Sequence, residues 1–282
     1  MIPPTDRSVA LPNGEYVPAL GIGTWRMGES RARKDAELAA IRHALDAGVR
    51  LIDTAEMYGE GGAEEIVGEA LAGRRDEVFV VSKVYPHNAG RKSAIAACER
   101  SLARLRTDRI DLYLLHWPGS IPLAETVDAF ERLHAEGKIR HWGVSNFDAQ
   151  DMARLHEQAG DGRCAANQVY YSVSRRGVEF DLLPWMRARA MPVMAYCPLD
   201  GGMLVDDPVL SAIGERHDAT AAQVAIAWLL SRGDTIAIPK AARIEHVDAN
   251  LAAAAIALSE VDLAEIDEAF PPPAGKAPLT IV

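Results

Sequence analysis

Eight successive pairings of a short apolar run with a helical stretch, along a 282-residue chain with no Pro-, Gly- or Ser-rich linker, predict an α/β fold closed as a (β/α)8 or TIM barrel. Eight such units fit a closed parallel barrel better than an open doubly wound sheet. Barrels of ~250 residues are commonly one domain, so residues 1–282 are expected to form a single one.

The first element stands outside that repeat. Asn13-Gly14 lies between the runs Val9-Ala10-Leu11 and Tyr16-Val17 and predicts a hairpin with a type I′ turn, which needs positive φ at both central positions. Residues 19–22 then form the first barrel strand. The helix over 34–47 carries Leu38, Ile41 and Leu45 on one face and stops at Gly48. Further pairs are strand 50–53 with helix 63–71, strand 78–82 with helix 92–105, strand 111–115 with helix 123–136, and strand 139–144 with helix 149–158. The last third adds strand 165–169 with helix 180–190, strand 192–196 with helix 221–231, and strand 235–238 with helix 244–251. One extra C-terminal helix follows, with Ser259 and Asp262 as a capping pair and Pro271, Pro272 and Pro273 as its stop.

Composition narrows the function. A hydrophobic fraction of 49% with 25% charged residues is ordinary for a packed globular protein, and a net charge of −10 disfavours nucleic acid as a partner. The N-terminus lacks the basic region and apolar core of a signal peptide, and no stretch approaches ~18 uncharged apolar residues. A cytoplasmic, unexported monomer without membrane contact is therefore expected. Cys98, Cys164 and Cys197 are too widely spaced to signal a disulfide framework or a zinc site and read as reduced buried thiols. No HExxH occurs and the eight histidines are scattered, so no catalytic metal is expected.

Chemistry gathers at strand ends. The strand before residue 54 stops on Asp53, with Tyr58 following in a turn that Gly59, Gly61 and Gly62 make flexible; two other strands stop at Ser82-Lys83 and at His116-Trp117. Parallel strands would bring Asp53, Tyr58, Lys83 and His116 to one rim, a set able to give a proton to a carbonyl oxygen. Each alone would suit a solvated surface or a strand cap; four together on a barrel rim point to a site.

At these residues the chain resembles the aldo-keto reductases, whose catalytic tetrad is an Asp, a Tyr, a Lys and a His in this order. The motifs GIGTW, DTAEMYGEGGAEEIVGEAL, SKVYP, DLYLLHWPGS, GKIRHWGVSNF, NQVYY, AYCPL and IPKAAR carry the resemblance over nearly the whole chain. It implies that Tyr58 is the general acid, that the Lys83 ammonium lowers the phenol's pKa, that Asp53 keeps Lys83 charged, and that His116 orients the substrate carbonyl. It further implies that the N-terminal hairpin caps the bottom of the barrel and that the tail from Ala274 lies over its mouth.

For the cofactor, the Gly21-Ile22-Gly23 stretch fails the Rossmann fingerprint because Arg26 occupies the third glycine position. The resemblance instead assigns Ser145, Asn146 and Gln168 to a nicotinamide carboxamide, Tyr196 to stacking on its ring, and Thr24, Leu199 and Gly201 to further cofactor contacts. Lys240 and Arg243, at the start of the last barrel helix, suit an adenosine 2′-phosphate, and Asn250 suits adenine. Ala241, His246 and Ala249 depart from the Ser, Arg and Glu of many members. NADPH is thus expected, with NADH possible at lower preference and His246 also facing the phosphate. Trp25, Tyr85 and Trp117 follow barrel strands and are expected to wall a pocket for a small carbonyl substrate. Among bacterial members the chain looks like those acting on methylglyoxal, related dicarbonyls or keto sugars. Competing readings are an NADPH-binding redox-sensing or regulatory barrel and a barrel lyase. Ser145 is a poor nucleophile, since a nucleophile elbow needs Gly where Phe147 stands.

Overall fold

A computed structural model describes residues 7–160 and 162–281; the first six residues, part of the stretch read as lacking a signal sequence, lie outside them, as does Val282 of the tail. Strands β1 (Ser8–Ala10) and β2 (Tyr16–Pro18) pair antiparallel, with Val9 opposite Val17. The turn differs from a type I′ turn. Gly14 N donates to Leu11 O at 2.8 Å and only Gly14, not Asn13, has positive φ, so Pro12-Asn13-Gly14 is a three-residue loop that ends in a left-handed glycine. Pro12, whose ring fixes φ near −65°, favours that choice.

The barrel strands are β3 (Ile22–Gly23), β4 (Leu51–Asp53), β5 (Phe79–Val84), β6 (Ile110–Leu115), β7 (Ile139–Ser145), β8 (Cys164–Tyr170), β9 (Val193–Tyr196) and β10 (Thr235–Ala237), paired parallel in chain order. Closure comes from residues 19–23 against β10: Ala237 N donates to Ala19 O, Gly21 N to Ala237 O, and Leu20 bridges Ala237. The sheet is thereby a barrel. Every residue of β5, β6 and β8 is buried, as strands covered on both faces require. A Cβ at Gly21 would lie 2.8 Å from the Leu51 carbonyl oxygen of β4, so a larger residue there would push the neighbouring strand away.

Around the sheet run α1 (Lys34–Asp46), α2 (Gly62–Ala70), α3 (Ser93–Leu105), α4 (Leu123–Ala135), α5 (Ala149–Ala159), α6 (Leu182–Arg187), α7 (Pro208–Arg216), α8 (Ala221–Leu230), α9 (Ile244–Ala252) and α10 (Glu260–Ala269). Their starts follow sequence chemistry: Asp148, Thr220 and Ser259 each form a capping box with the residue three positions on. Two helices differ from expectation. The stretch read as helix 180–190 keeps only the six residues of α6, with a 3₁₀ turn (Gly177–Glu179) before it and Ala190 at φ 51 after it. The helix α7 escaped the periodicity argument, yet Asp207 caps it through Val209 N and Leu210 N, and Pro208 opens it. Arg216 and His217, at its end, bind Asp262 of α10.

At the N-terminal end of β7, Arg140 Nη2 donates to Glu15 Oε1 at 2.6 Å and His141 Nε2 lies 2.9 Å from Glu15 Oε2. The hairpin loop is thereby fixed to the bottom of the barrel, opposite the rim that carries the strand-end polar groups. Among the described residues no helix is long and apolar enough to cross a membrane.

Candidate active site

Parallel pairing brings the strand ends together as the sequence implied. Asp53 ends β4, Lys83 is the fifth residue of β5, and His116 follows β6 with its N–H on Val84 O. Lys83 is fully buried, and its Nζ donates to Asp53 Oδ1 at 2.8 Å and to Thr54 O at 2.8 Å, and lies 3.2 Å from the Tyr58 hydroxyl. The Tyr58 and His116 rings meet edge to face with centroids 5.8 Å apart.

Tyr58 sits on a pinned turn rather than a flexible one. Gly59 (φ 57) and Glu60 (φ 53) take left-handed conformations, and a Cβ on Gly59 would fall 2.7 Å from Met27 O. The glycines supply close approach, which fixes the phenol instead of loosening it.

Electrostatics corrects one expectation. Burial, then the Asp53 carboxylate, push the Tyr58 phenol well above its ordinary value. A phenolate here would lose solvation and face Asp53, which offsets the ammonium that was expected to lower it. Burial pulls Lys83 below the usual lysine value, with Asp53 opposing. His116 is held well below the usual imidazole value by burial and by Lys83. The imidazole is consequently neutral at pH 7, and its buried Nδ1 has no hydrogen-bond partner among the described residues.

Asp53, Tyr58 and His116 open onto a cavity of about 160 Å³. Trp25, Met57, Trp117 and Ile281 form apolar walls, and Ser145, Asn146, Gln168 and Tyr196 line it from the ends of β7, β8 and β9. Ile281 brings the C-terminal tail to the mouth, and Leu279 packs on the core. Tyr85 does not line it. Its ring stands edge to face against Trp117 at 5.9 Å, while Glu56 Oε1 accepts from Tyr85 N at 2.8 Å, so this aromatic braces a wall from outside.

Several of the polar groups assigned to a nicotinamide contact each other. Ser145 Oγ donates to Gln168 O at 2.8 Å, Tyr196 OH donates to Asn146 Oδ1 at 2.8 Å, and Gln168 Nε2 donates to Asp53 Oδ2 at 2.7 Å. Thr24 is fully buried with its hydroxyl on Asp53 O, so it backs the acid rather than facing the cavity. Leu199 and Gly201 lie in the loop after β9, where a Cβ on Gly201 or Gly202 would meet nothing within 4 Å. Lys240 edges the cavity, its ammonium below the usual value through burial and the nearby Arg33 and Arg26, with Glu37 opposing. Arg243 caps α9 and its Nη2 contacts His246 Nε2, both side chains exposed; Asn250 lies on the same helix, within α9. This arrangement fits a nicotinamide dinucleotide: an aromatic ring and amides by the proton-transfer centre, an open glycine loop, then cations at a helix start. Sequence reasoning overlooked Cys197, which lines the cavity half-exposed although all three thiols were expected to be buried. It leaves the core because it is the first residue beyond β9.

The family follows from the comparisons. The aldo/keto reductase family model matches residues 19–270, and the chain belongs to that family of oxidoreductases. It is 52% identical to the methylglyoxal reductase YeaE of Escherichia coli (strain K12), over 94% of this chain and 95% of that one. It is 34% identical to the glyoxal reductase of Bacillus subtilis (strain 168), over 92% of this chain and 91% of the other. A crystal structure of an aldo/keto reductase from Klebsiella pneumoniae in complex with NADP and acetate superposes with a TM-score of 0.94 at 49% identity, covering 98% of this chain and 99% of that one.

Proposed function

We propose that this protein reduces small aldehydes, dicarbonyls and ketones to alcohols with NADPH, acting as a cytoplasmic, single-domain monomer. The observation that carries the reading is the contiguous Asp53–Lys83–Tyr58 array beside His116 in a cavity walled by Trp25 and Trp117. A reduced nicotinamide cofactor, held by Tyr196, Asn146, Ser145 and Gln168, with Lys240 and Arg243 at its phosphate end, supplies the hydride. His116 donates an N–H to the carbonyl oxygen; leaving the proton off the partnerless Nδ1 puts it on Nε2. Tyr58 stays protonated at working pH and gives its proton to the same oxygen as charge develops there. Lys83 stabilises the phenolate left behind, and Asp53 holds the ammonium against its burial. A sensor without turnover would have no use for this buried ion pair.

Similarity to methylglyoxal and glyoxal reductases supports a small dicarbonyl as substrate. Loss of reduced-nicotinamide absorbance on adding methylglyoxal to enzyme and NADPH tests the proposal. Absence of turnover with methylglyoxal, glyoxal and simple aldehydes alike would reject it.

A further inference from the structure

Tyr170 and Tyr196 stand opposite each other at the ends of β8 and β9, and their rings stack 18° from parallel with centroids 5.4 Å apart. Tyr196 is also held through its hydroxyl by Asn146. Tyr170 is in turn fixed by Asp200, to which its hydroxyl donates a hydrogen bond. Asp200 collects two more donors from the loop after β8: Ser174 Oγ at 2.8 Å and Arg175 Nε at 3.1 Å.

Nothing in the proton-transfer scheme uses this carboxylate. Only 7% of Asp200 is exposed, and it does not line the cavity. Burial works against its charge, yet the bonds from Tyr170, Ser174 and Arg175 outweigh it and hold the carboxyl below its ordinary value. The backbone at Asp200 is left-handed (φ 49), and Gly201 (φ 66) and Gly202 (φ 102) follow it in the same region. Three side-chain bonds therefore fasten a turn whose glycines lie exposed on the outside.

We infer that Asp200 is a positioning residue that acts through Tyr170, tying the shape of the loop after β9 to the placement of the Tyr196 ring, so that loop and ring hold the nicotinamide cofactor as one unit. This rests on the proposed contact between Tyr196 and the cofactor. Tyr170 transmits the effect because its hydroxyl is on the loop while its ring is on Tyr196. Asp200 and Tyr196 are thus coupled through an intermediary.

A double-mutant cycle on NADPH binding, read by tryptophan fluorescence, tests this. Asp200→Asn, which keeps shape but loses the charge that three donors share, should raise the NADPH Kd about fivefold or more. Tyr170→Phe, which keeps the stacked ring but cannot donate to Asp200, should reproduce that loss. In a Tyr196→Ala background either change should add less than about twofold, because the ring they place is gone. Full additivity with Tyr196→Ala would overturn the inference, and so would wild-type affinity in both Asp200→Asn and Tyr170→Phe. An unchanged Kd in Tyr196→Ala alone would remove the cofactor contact and this inference with it. A merely structural latch would lower Tm equally in both backgrounds and leave the cycle additive. If Asp200→Asn fails to fold, the Tyr170→Phe arm decides alone.

Discussion

Gln168 Nε2 donates to Asp53 Oδ2 at 2.7 Å while Asp53 Oδ1 accepts from Lys83 Nζ at 2.8 Å, so a single carboxylate joins the end of β8 to the Lys83 ammonium. Gln168→Leu should lower kcat about tenfold, because one oxygen of a buried carboxylate loses its donor. Steady-state kinetics beside an NADPH titration checks it. A weaker NADPH Kd with kcat intact would assign Gln168 to the cofactor alone.

Phenol ionisation sets a second expectation. With the Tyr58 pKa raised by burial and Asp53, the acid form persists through the neutral and mildly alkaline range. Reduction should then show no falling limb in kcat/KM below about pH 9, a profile that reports the free enzyme. A falling limb below the ordinary phenol range, with Tyr58 the only group titrating by its spectrum, would mean that Lys83 outweighs burial. A limb without phenolate formation would instead report Lys83, which burial holds below the usual lysine value.

Much of the site was legible because its residues are polar where strands end. Asp53, Lys83 and His116 each break an apolar run, and parallel pairing then leaves one rim on which they can meet. Other features depend on three-dimensional approach. The Tyr85 ring stands edge to face against Trp117 while Glu56 accepts from its backbone N–H, an arrangement that spacing does not reveal. Asp200 reads as an ordinary loop acid until Tyr170, thirty positions earlier, is seen beside it. The phenol's pKa was misjudged because a neighbouring cation was visible in sequence while burial was not. In the fold, α7 hid behind a short apolar stripe although Asp207-Pro208 marks its start, and Pro12 changed the expected hairpin turn.

Cavity walls should set the substrate range. Trp25, Met57, Trp117 and Ile281 wall the cavity of about 160 Å³ in front of Tyr58. The nicotinamide proposed beside Ser145, Asn146, Gln168 and Tyr196 would fill part of it, so the remaining space should suit a three-carbon dicarbonyl better than a fused-ring ketone. Methylglyoxal should exceed any steroid in kcat/KM, and Trp117→Ala should narrow the gap by admitting bulkier aldehydes. A steroid preferred by the wild-type enzyme would contradict this.

Cofactor choice should follow the cations around the start of α9. Lys240→Ala should weaken NADPH by about tenfold and leave NADH nearly unchanged, the loss expected for one charge-assisted bond to a 2′-phosphate. His246→Arg should strengthen NADPH by supplying a permanent cation beside Arg243. Equal affinity for NADPH and NADH in the wild-type enzyme would refute the phosphate contact.

Tyr58→Phe tests most directly whether Tyr58 gives the proton, since it removes one hydroxyl 3.2 Å from Lys83 Nζ. NADPH oxidation with methylglyoxal should fall by at least about a hundredfold, the usual contribution of a positioned general acid, while the NADPH Kd stays within about twofold. Turnover near the wild-type rate in a variant that still binds NADPH would show that another group protonates the substrate.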